Sequence, residues 1–269
     1  MFATLEQHLL YAAVVCYLTG VAAHLYHIIK GKRRALEVGV GAFALGVLIQ
    51  LVGTVLFVIR VGHLPVLGWQ EATAFFAMGI MALYLWIQRT YKVPAFGAFV
   101  GPVVLGLCLL SLFMHPEMKT ALRPELKSFW FPVHVLFAFV GDALFALAAV
   151  VGVMFLIQDY QLKHKAISPL FHRLPSLEVL DEVGYRCLAV GFPLLTLGIV
   201  TGSVWSMSTF GDYWRWMPKE VWSLVTWLLY AALLHGRLTS GWRGRRASIG
   251  SIAGFALVLG SFFLTSHMI

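Results

Sequence analysis

Phe131–Ile157 reads FPVHVLFAFVGDALFALAAVVGVMFLI and carries a single charge, Asp142. About 20 apolar residues in a helix cross the hydrocarbon core of a bilayer. The apolar residues here form one long block and do not alternate, which argues for a helix and against a strand of a membrane β-barrel. In lipid such a segment must satisfy its own backbone hydrogen bonds, and an α-helix does so. The stretch therefore predicts a transmembrane helix.

Seven further blocks of the same kind lie on either side: Gln7–Ile29, Val38–Ile59, Trp69–Gln88, Pro94–Met114, Val183–Met207, Val221–Gly236 and Ala247–His267. The expected fold is an all-α integral membrane protein, one polytopic domain over residues 1–269 with about eight transmembrane helices. The composition agrees. Of the 269 residues, 60% are hydrophobic and only 12% are charged, about half the charge of a soluble domain. A soluble enzyme, a disordered chain and a secreted disulfide scaffold are excluded, and lipid is the implied solvent.

The net charge of +8 does not point to nucleic acid, because the basic residues sit in short loops between spans. Alternate loops hold thirteen Lys and Arg: Lys30, Lys32, Arg33 and Arg34; Arg89 and Lys92; Lys163, Lys165 and Arg173; Arg237, Arg243, Arg245 and Arg246. The opposite loops hold six: Arg60; Lys119, Arg123 and Lys127; Arg215 and Lys219. By the positive-inside rule the richer side is cytoplasmic, which puts both termini on the outer, periplasmic side. No Lys or Arg precedes the first span, so it reads as a span and not as a cleavable signal peptide. The apolar residues and two prolines of the inner loop Lys163–Leu180 suggest a short interfacial helix. Cys16, Cys108 and Cys187 lie inside spans without a CxxC pair and read as packing residues.

The scarce polar residues are not evenly spread. Five of nine tryptophans, Trp205, Trp214, Trp216, Trp222 and Trp227, fall within residues 205–227, an expected outer loop. An interfacial aromatic belt is one explanation. A surface for a large flat apolar ligand is the other, with Arg215 and Lys219 placed to meet its carboxylates. A porphyrin with propionates satisfies both demands. Histidines gather at two depths. His134 opens the fifth span and His267 ends the eighth near the outer face, with His63 in an outer loop close to Glu71. His235, His24 and His27 lie near the inner face. Imidazoles are good axial ligands of haem iron, although a lone membrane histidine is more often a hydrogen-bonding bridge between helices. His8, His115, His164 and His172 read as surface residues. Asp142 should face the bundle and have a partner.

Several segments together resemble the CcsA/ResC-type cytochrome c biogenesis family, haem-handling membrane proteins with a Trp-rich "WWD" domain. They are GHLP at 62–65 followed by QEA at 70–72, WFPVHV at 130–135, LDEVGYR at 180–186, GFPLLT at 191–196, FGDYWRWMPKEVWSLVTW at 210–227, LHGR at 234–237 and SH at 266–267. The resemblance covers most of the chain from about residue 50. It implies that His134 and His267 ligate haem b presented on the Trp-rich stretch, and that His235 ligates a second haem within the membrane. It also implies a CcsB/ResB-type companion subunit, an apocytochrome c with a CxxCH motif as acceptor, and a bacterial cytoplasmic (inner) membrane location. The activity implied is that of a holocytochrome c synthase component, which joins haem vinyl groups to apocytochrome thiols as thioethers.

The sequence departs from the family pattern in three places. Met217 stands where the family has Asp, Phe210 stands before Gly211 where it has Trp, and the chain ends Ser-His-Met-Ile. Met217 offers a thioether to iron or to the porphyrin face, or is a tolerated divergence. Two alternatives stay open: a haem-carrier paralogue without synthase activity, and a b-type di-haem electron-transfer subunit. Glu220 reads more readily as a helix N-terminal carboxylate than as a catalytic base.

Overall fold

A computed structural model describes residues 5–114, 128–165, 168 and 170–264, with the backbone alone for 262–264. The described residues form eight helices and no strand. The helices are α1 (Leu5–Lys30), α2 (Arg33–Val61), α3 (Trp69–Tyr91), α4 (Phe96–Phe113), α5 (Trp130–Lys163), α6 (Leu177–Phe210), α7 (Pro218–Thr239) and α8 (Arg245–Leu264). Each apolar block of the sequence corresponds to one helix, and seven of the eight are long and apolar enough to cross a membrane. Breaks fall where the chain can turn. Gly62 ends α2 at φ +84° and its N–H donates to the Val58 carbonyl at 2.8 Å. Gly211 ends α6 in the same left-handed conformation, which costs glycine nothing and other residues about 1–2 kcal/mol.

Many large apolar side chains are left uncovered by protein. On α1 and α2 they include Val15, Leu18, Ile29, Leu48, Val55 and Ile59. Water would penalise such a surface and lipid does not, so the protein is a multi-pass membrane protein. At 34 residues each, α5 and α6 are about 51 Å long. They exceed a hydrocarbon core of about 30 Å, so their ends reach the polar interface.

The chain divides into two compact units, α1–α4 with the segment ending at Pro175, and α5–α8. In unit 1 the core is Tyr17, Phe43, Ile80, Met81, Tyr84 and Phe96. Its polar atoms are paired within the unit. Tyr17 Oη donates to Gln50 Oε1 at 2.8 Å, and Gln50 Nε2 donates to the Ala74 carbonyl at 2.7 Å. His24 is wholly buried. Its Nδ1–H donates to the Gly20 carbonyl (2.8 Å), and Nε2 accepts from Tyr84 Oη (3.2 Å). Both ring nitrogens are used, so His24 is a core bridge with no lone pair left for a metal. Gly97 lets α4 approach this pair, since a Cβ there would collide with His24 Nε2 and Tyr84 Oη. Gly97→Ala should destabilise unit 1 by about 1–3 kcal/mol, measured as a lowered midpoint of unfolding in detergent.

Unit 2 is built on α5, whose residues 143–152 are buried on every side. Small residues bring α6 against it. A Cβ at Gly141 would sit 3.1 Å from Leu195 N, and one at Gly198 would sit 3.2 Å from Ala138 N. The backbones therefore nearly touch, as at small-xxx-small membrane interfaces. His134, Ala138, Gly141 and Phe145 make one stripe of α5, facing Gly202, Gly198, Leu195 and Gly191 of α6.

The loop 163–180 differs from expectation. No helix forms over residues 170–176; the chain makes turns, with Leu174 N–H on the Leu170 carbonyl at 2.9 Å. Pro169 and Pro175 leave five residues between them, too few for a stable helix.

Candidate functional site

The α5–α6 stripe ends in a histidine seat. His134 Nδ1 lies 2.7 Å from the Gly198 carbonyl. A carbonyl only accepts, so Nδ1 carries the hydrogen and Nε2 keeps its lone pair. Gly202 sits under the ring, where a Cβ would come within 2.7 Å of Nδ1. Trp205, one turn further along α6, lies parallel to the imidazole at 9° with centroids 6.4 Å apart. Phe131 and Phe210 flank Trp205 at 5.4 and 5.8 Å. The ring plane, tautomer and free nitrogen of His134 are thus fixed by three residues of one neighbouring helix. A histidine that donates through one nitrogen and offers the other is the usual form of a metal-ligating imidazole. This donor set suits haem iron.

The Trp-rich stretch is mostly helical. Trp205 is on α6, Trp222 and Trp227 are on α7, and only Gly211–Met217 lies between the helices. Trp227 Nε1 donates to Thr196 Oγ1 at 2.9 Å, which commits that indole to packing. The short connection is held from inside by Glu220. Its Oε2 accepts from the backbone N–H of Arg215 (2.8 Å) and of Met217 (3.1 Å), so it caps α7 and is engaged as an N-terminal carboxylate. The Arg215 guanidinium lies over the Phe210 ring at 3.6 Å and 3.9 Å from Glu220 Oε1. Trp214 and Trp216 meet edge to face at 6.1 Å. Trp216 takes φ +59° and is 71% exposed. A bulky residue in that conformation is strained, and here the strain holds an indole away from the bundle. Tyr213, Met217 and Lys219 are exposed beside it.

At the opposite end of unit 2, His235 is exposed on α7. It lies on a face with Val221, Val225, Leu228 and Ala232 that the unit leaves uncovered. Two residues on, Arg237 makes a bidentate pair with Asp181 at 3.0 and 2.8 Å. Gly244 N–H donates to the same carboxylate at 2.7 Å, and the guanidinium covers the Tyr185 ring at 4.3 Å. This latch joins the start of α6, the end of α7 and the turn before α8. In unit 1, His63 is half-buried with Nδ1 on the Leu64 carbonyl at 2.7 Å, and His27 is turned to the Lys32 carbonyl at 3.0 Å. His267 lies outside the described residues, as does His115.

Sequence reasoning singles out His134, Trp205 and His235. It missed Gly198 and Gly202, which build the seat, and the Asp181–Arg237 latch. The spacing Gly198-x3-Gly202 is a small-residue signature of close helix contact and was the available signal.

Comparison with known proteins places these features in context. A family model described as "Cytochrome C assembly protein" matches residues 66–269. The chain is 32% identical over 247 aligned positions to the cytochrome c biogenesis protein CcsA of Microcystis aeruginosa, with 74% of this chain and 75% of that protein covered. It is 31% identical over 294 positions to CcsA of Synechococcus elongatus, covering 93% and 89%. It is 34% identical over 235 positions to CcsA of Porphyra purpurea, covering 73% and 74%. Among solved structures, the cytochrome c haem lyase CcmF superposes with a TM-score of 0.69 at 18% identity. The match covers 98% of this chain and 48% of that one, so the chain spans about half the length of CcmF and shares its fold.

Proposed function

We propose, because this chain belongs to the cytochrome c assembly protein family and so takes part in cytochrome c biogenesis, that unit 2 receives haem b as cargo and presents it for attachment to apocytochrome c. The observation that carries this is the His134 seat, a half-buried imidazole with Nδ1 committed to Gly198 and Nε2 left free. His134 supplies one axial ligand and His267 the other, at the outer, periplasmic end of a protein in the bacterial cytoplasmic membrane. The exposed Trp216 with Trp214 and Trp222 covers the porphyrin face. Lys219, and Arg215 after it swings off Phe210, meet the propionates. Met217 lines the same rim. His235 serves a second haem nearer the inner face. Its uncovered apolar stripe on α7 suits a helix of a CcsB/ResB-type companion, which brings the second ligand.

The chemistry asked of these residues is positioning. Each thiol S–H of the acceptor adds across one haem vinyl C=C to give a thioether, with no leaving group. Two imidazoles on the iron exclude oxygen from the metal while the vinyl groups wait at the rim. Glu220 is occupied by two backbone N–H groups, so its part is to hold the connection in shape.

The test is co-expression of this chain, its companion and an apocytochrome c in a host that lacks its own maturation genes. Covalent haem on the cytochrome is expected, and its absence with all three chains present overturns the attachment step. A second prediction concerns the seat alone. Gly202→Ala pushes a methyl group against the imidazole, so the purified protein should retain about tenfold less haem. Its helical circular dichroism should be unchanged.

A further inference from the structure

The interior of unit 2 contains one charged group that haem presentation does not use. Within residues 141–152 of α5, Asp142 alone is half-buried and the others are buried. No cation faces it. The surrounding stretches 130–158 of α5, 187–210 of α6, 221–234 of α7 and 247–261 of α8 contain no Lys, Arg or Glu and no second Asp. The other titratable groups in those stretches are His134, two turns along α5, Cys187 on α6 and Tyr230 on α7.

Tyr230 packs against the same stretch of α5. Its ring stacks on Phe145, which lies on the same face of α5 one turn from Asp142, with centroids 3.6 Å apart at 12°. The Tyr230 hydroxyl is within electrostatic reach of the carboxyl. Tyr230 is wholly buried, and its Oη has no hydrogen-bond partner. The ring cannot turn away, because Gly254 of α8 packs against it and a Cβ there would meet Tyr230 Cζ at 2.7 Å. A hydroxyl left unpaired in an apolar interior costs about 1–3 kcal/mol. An unpaired carboxylate costs more. One proton and one water remove both costs. The acid becomes neutral, and a water admitted between the two groups joins it to Oη.

We propose that Asp142 and Tyr230 form a proton-binding site inside unit 2, in which Asp142 holds an exchangeable proton and shares a bound water with the Tyr230 hydroxyl. The site lies eight residues, about 12 Å, from His134 along α5, and Tyr230 lies five residues, about 7.5 Å, from His235 along α7. It therefore sits between the two histidine levels and lets the unit change its interior charge by one without moving a helix.

The experiment is infrared spectroscopy of the purified full chain in lipid nanodiscs, in neutral buffer and without haem. A carbonyl band of a protonated carboxylic acid is expected, shifted by exchange into D2O and lost in Asp142→Asn. In Tyr230→Phe the band should move to higher frequency as its hydrogen bonding weakens. Wild-type protein supplies a second readout. A lipid-soluble carbodiimide adds to a protonated acid, whose proton goes to the reagent nitrogen while the carboxyl oxygen bonds to its central carbon. Mass spectrometry should find that adduct on Asp142. No band assignable to Asp142, a band unmoved by Tyr230→Phe, or labelling only after unfolding overturns the site. Because no haem is present, these outcomes are separate from failure of the haem reading.

Discussion

Replacing His134 by alanine should lower haem affinity at the His134 end of unit 2 by more than about 100-fold, read as loss of Soret absorbance after purification. The expectation follows from what the mutation removes. Outer partners of metal-ligating histidines are worth about 10–100-fold in affinity, and the ligand itself exceeds its partner. Phe131 and Phe210, which flank Trp205, and the arginine held on Phe210 offer iron no replacement for the lost imidazole. His134→Gly leaves a ring-sized hole between Gly198, Gly202 and Trp205, so added imidazole should restore the band to that variant. A protein whose oxidised and reduced spectra are unchanged by His134→Ala would remove His134 from the ligand set.

Arg237→Met should destabilise unit 2 by about 3–5 kcal/mol. The Asp181 and Arg237 side chains are only 18% and 10% exposed, so solvent cannot replace the lost partner. The cost arises from the carboxylate left with the Gly244 N–H as its hydrogen-bond donor and only the more distant charge of Arg243. Asp181→Asn removes that charge and keeps an oxygen for Gly244. The double variant should therefore be more stable than Arg237→Met alone. Denaturant unfolding in detergent, followed by tryptophan fluorescence, measures both. Equal stability of single and double variants would show that charge burial does not govern this latch.

The spans were legible because the bilayer imposes one solution on an apolar block, and Phe131–Ile157 has no other. His134 was legible as a polar residue at the edge of such a block. Its seat was not, since nothing in sequence couples residue 134 to Gly198, 64 positions later. His24 was ambiguous until Gly20 and Tyr84 were seen to occupy both its nitrogens. The stretch 205–227 read as a loop because tryptophan and charge crowd it. Helix α6 runs on to Phe210 because a 34-residue helix overshoots the hydrocarbon, and α7 begins at Pro218, a residue suited to the first helical position.

Asp181 also sets an order of events during synthesis. Its partners Arg237 and Gly244 follow it by 56 and 63 residues. When α6 leaves the ribosome, its glycine face can already close on α5, but its first turns carry an acid with nothing to bind. That end becomes stable only after α7 has been threaded across the membrane and the chain has turned back toward α8. A nascent chain arrested before residue 237 should therefore leave the start of α6 open to a protease that the finished protein resists.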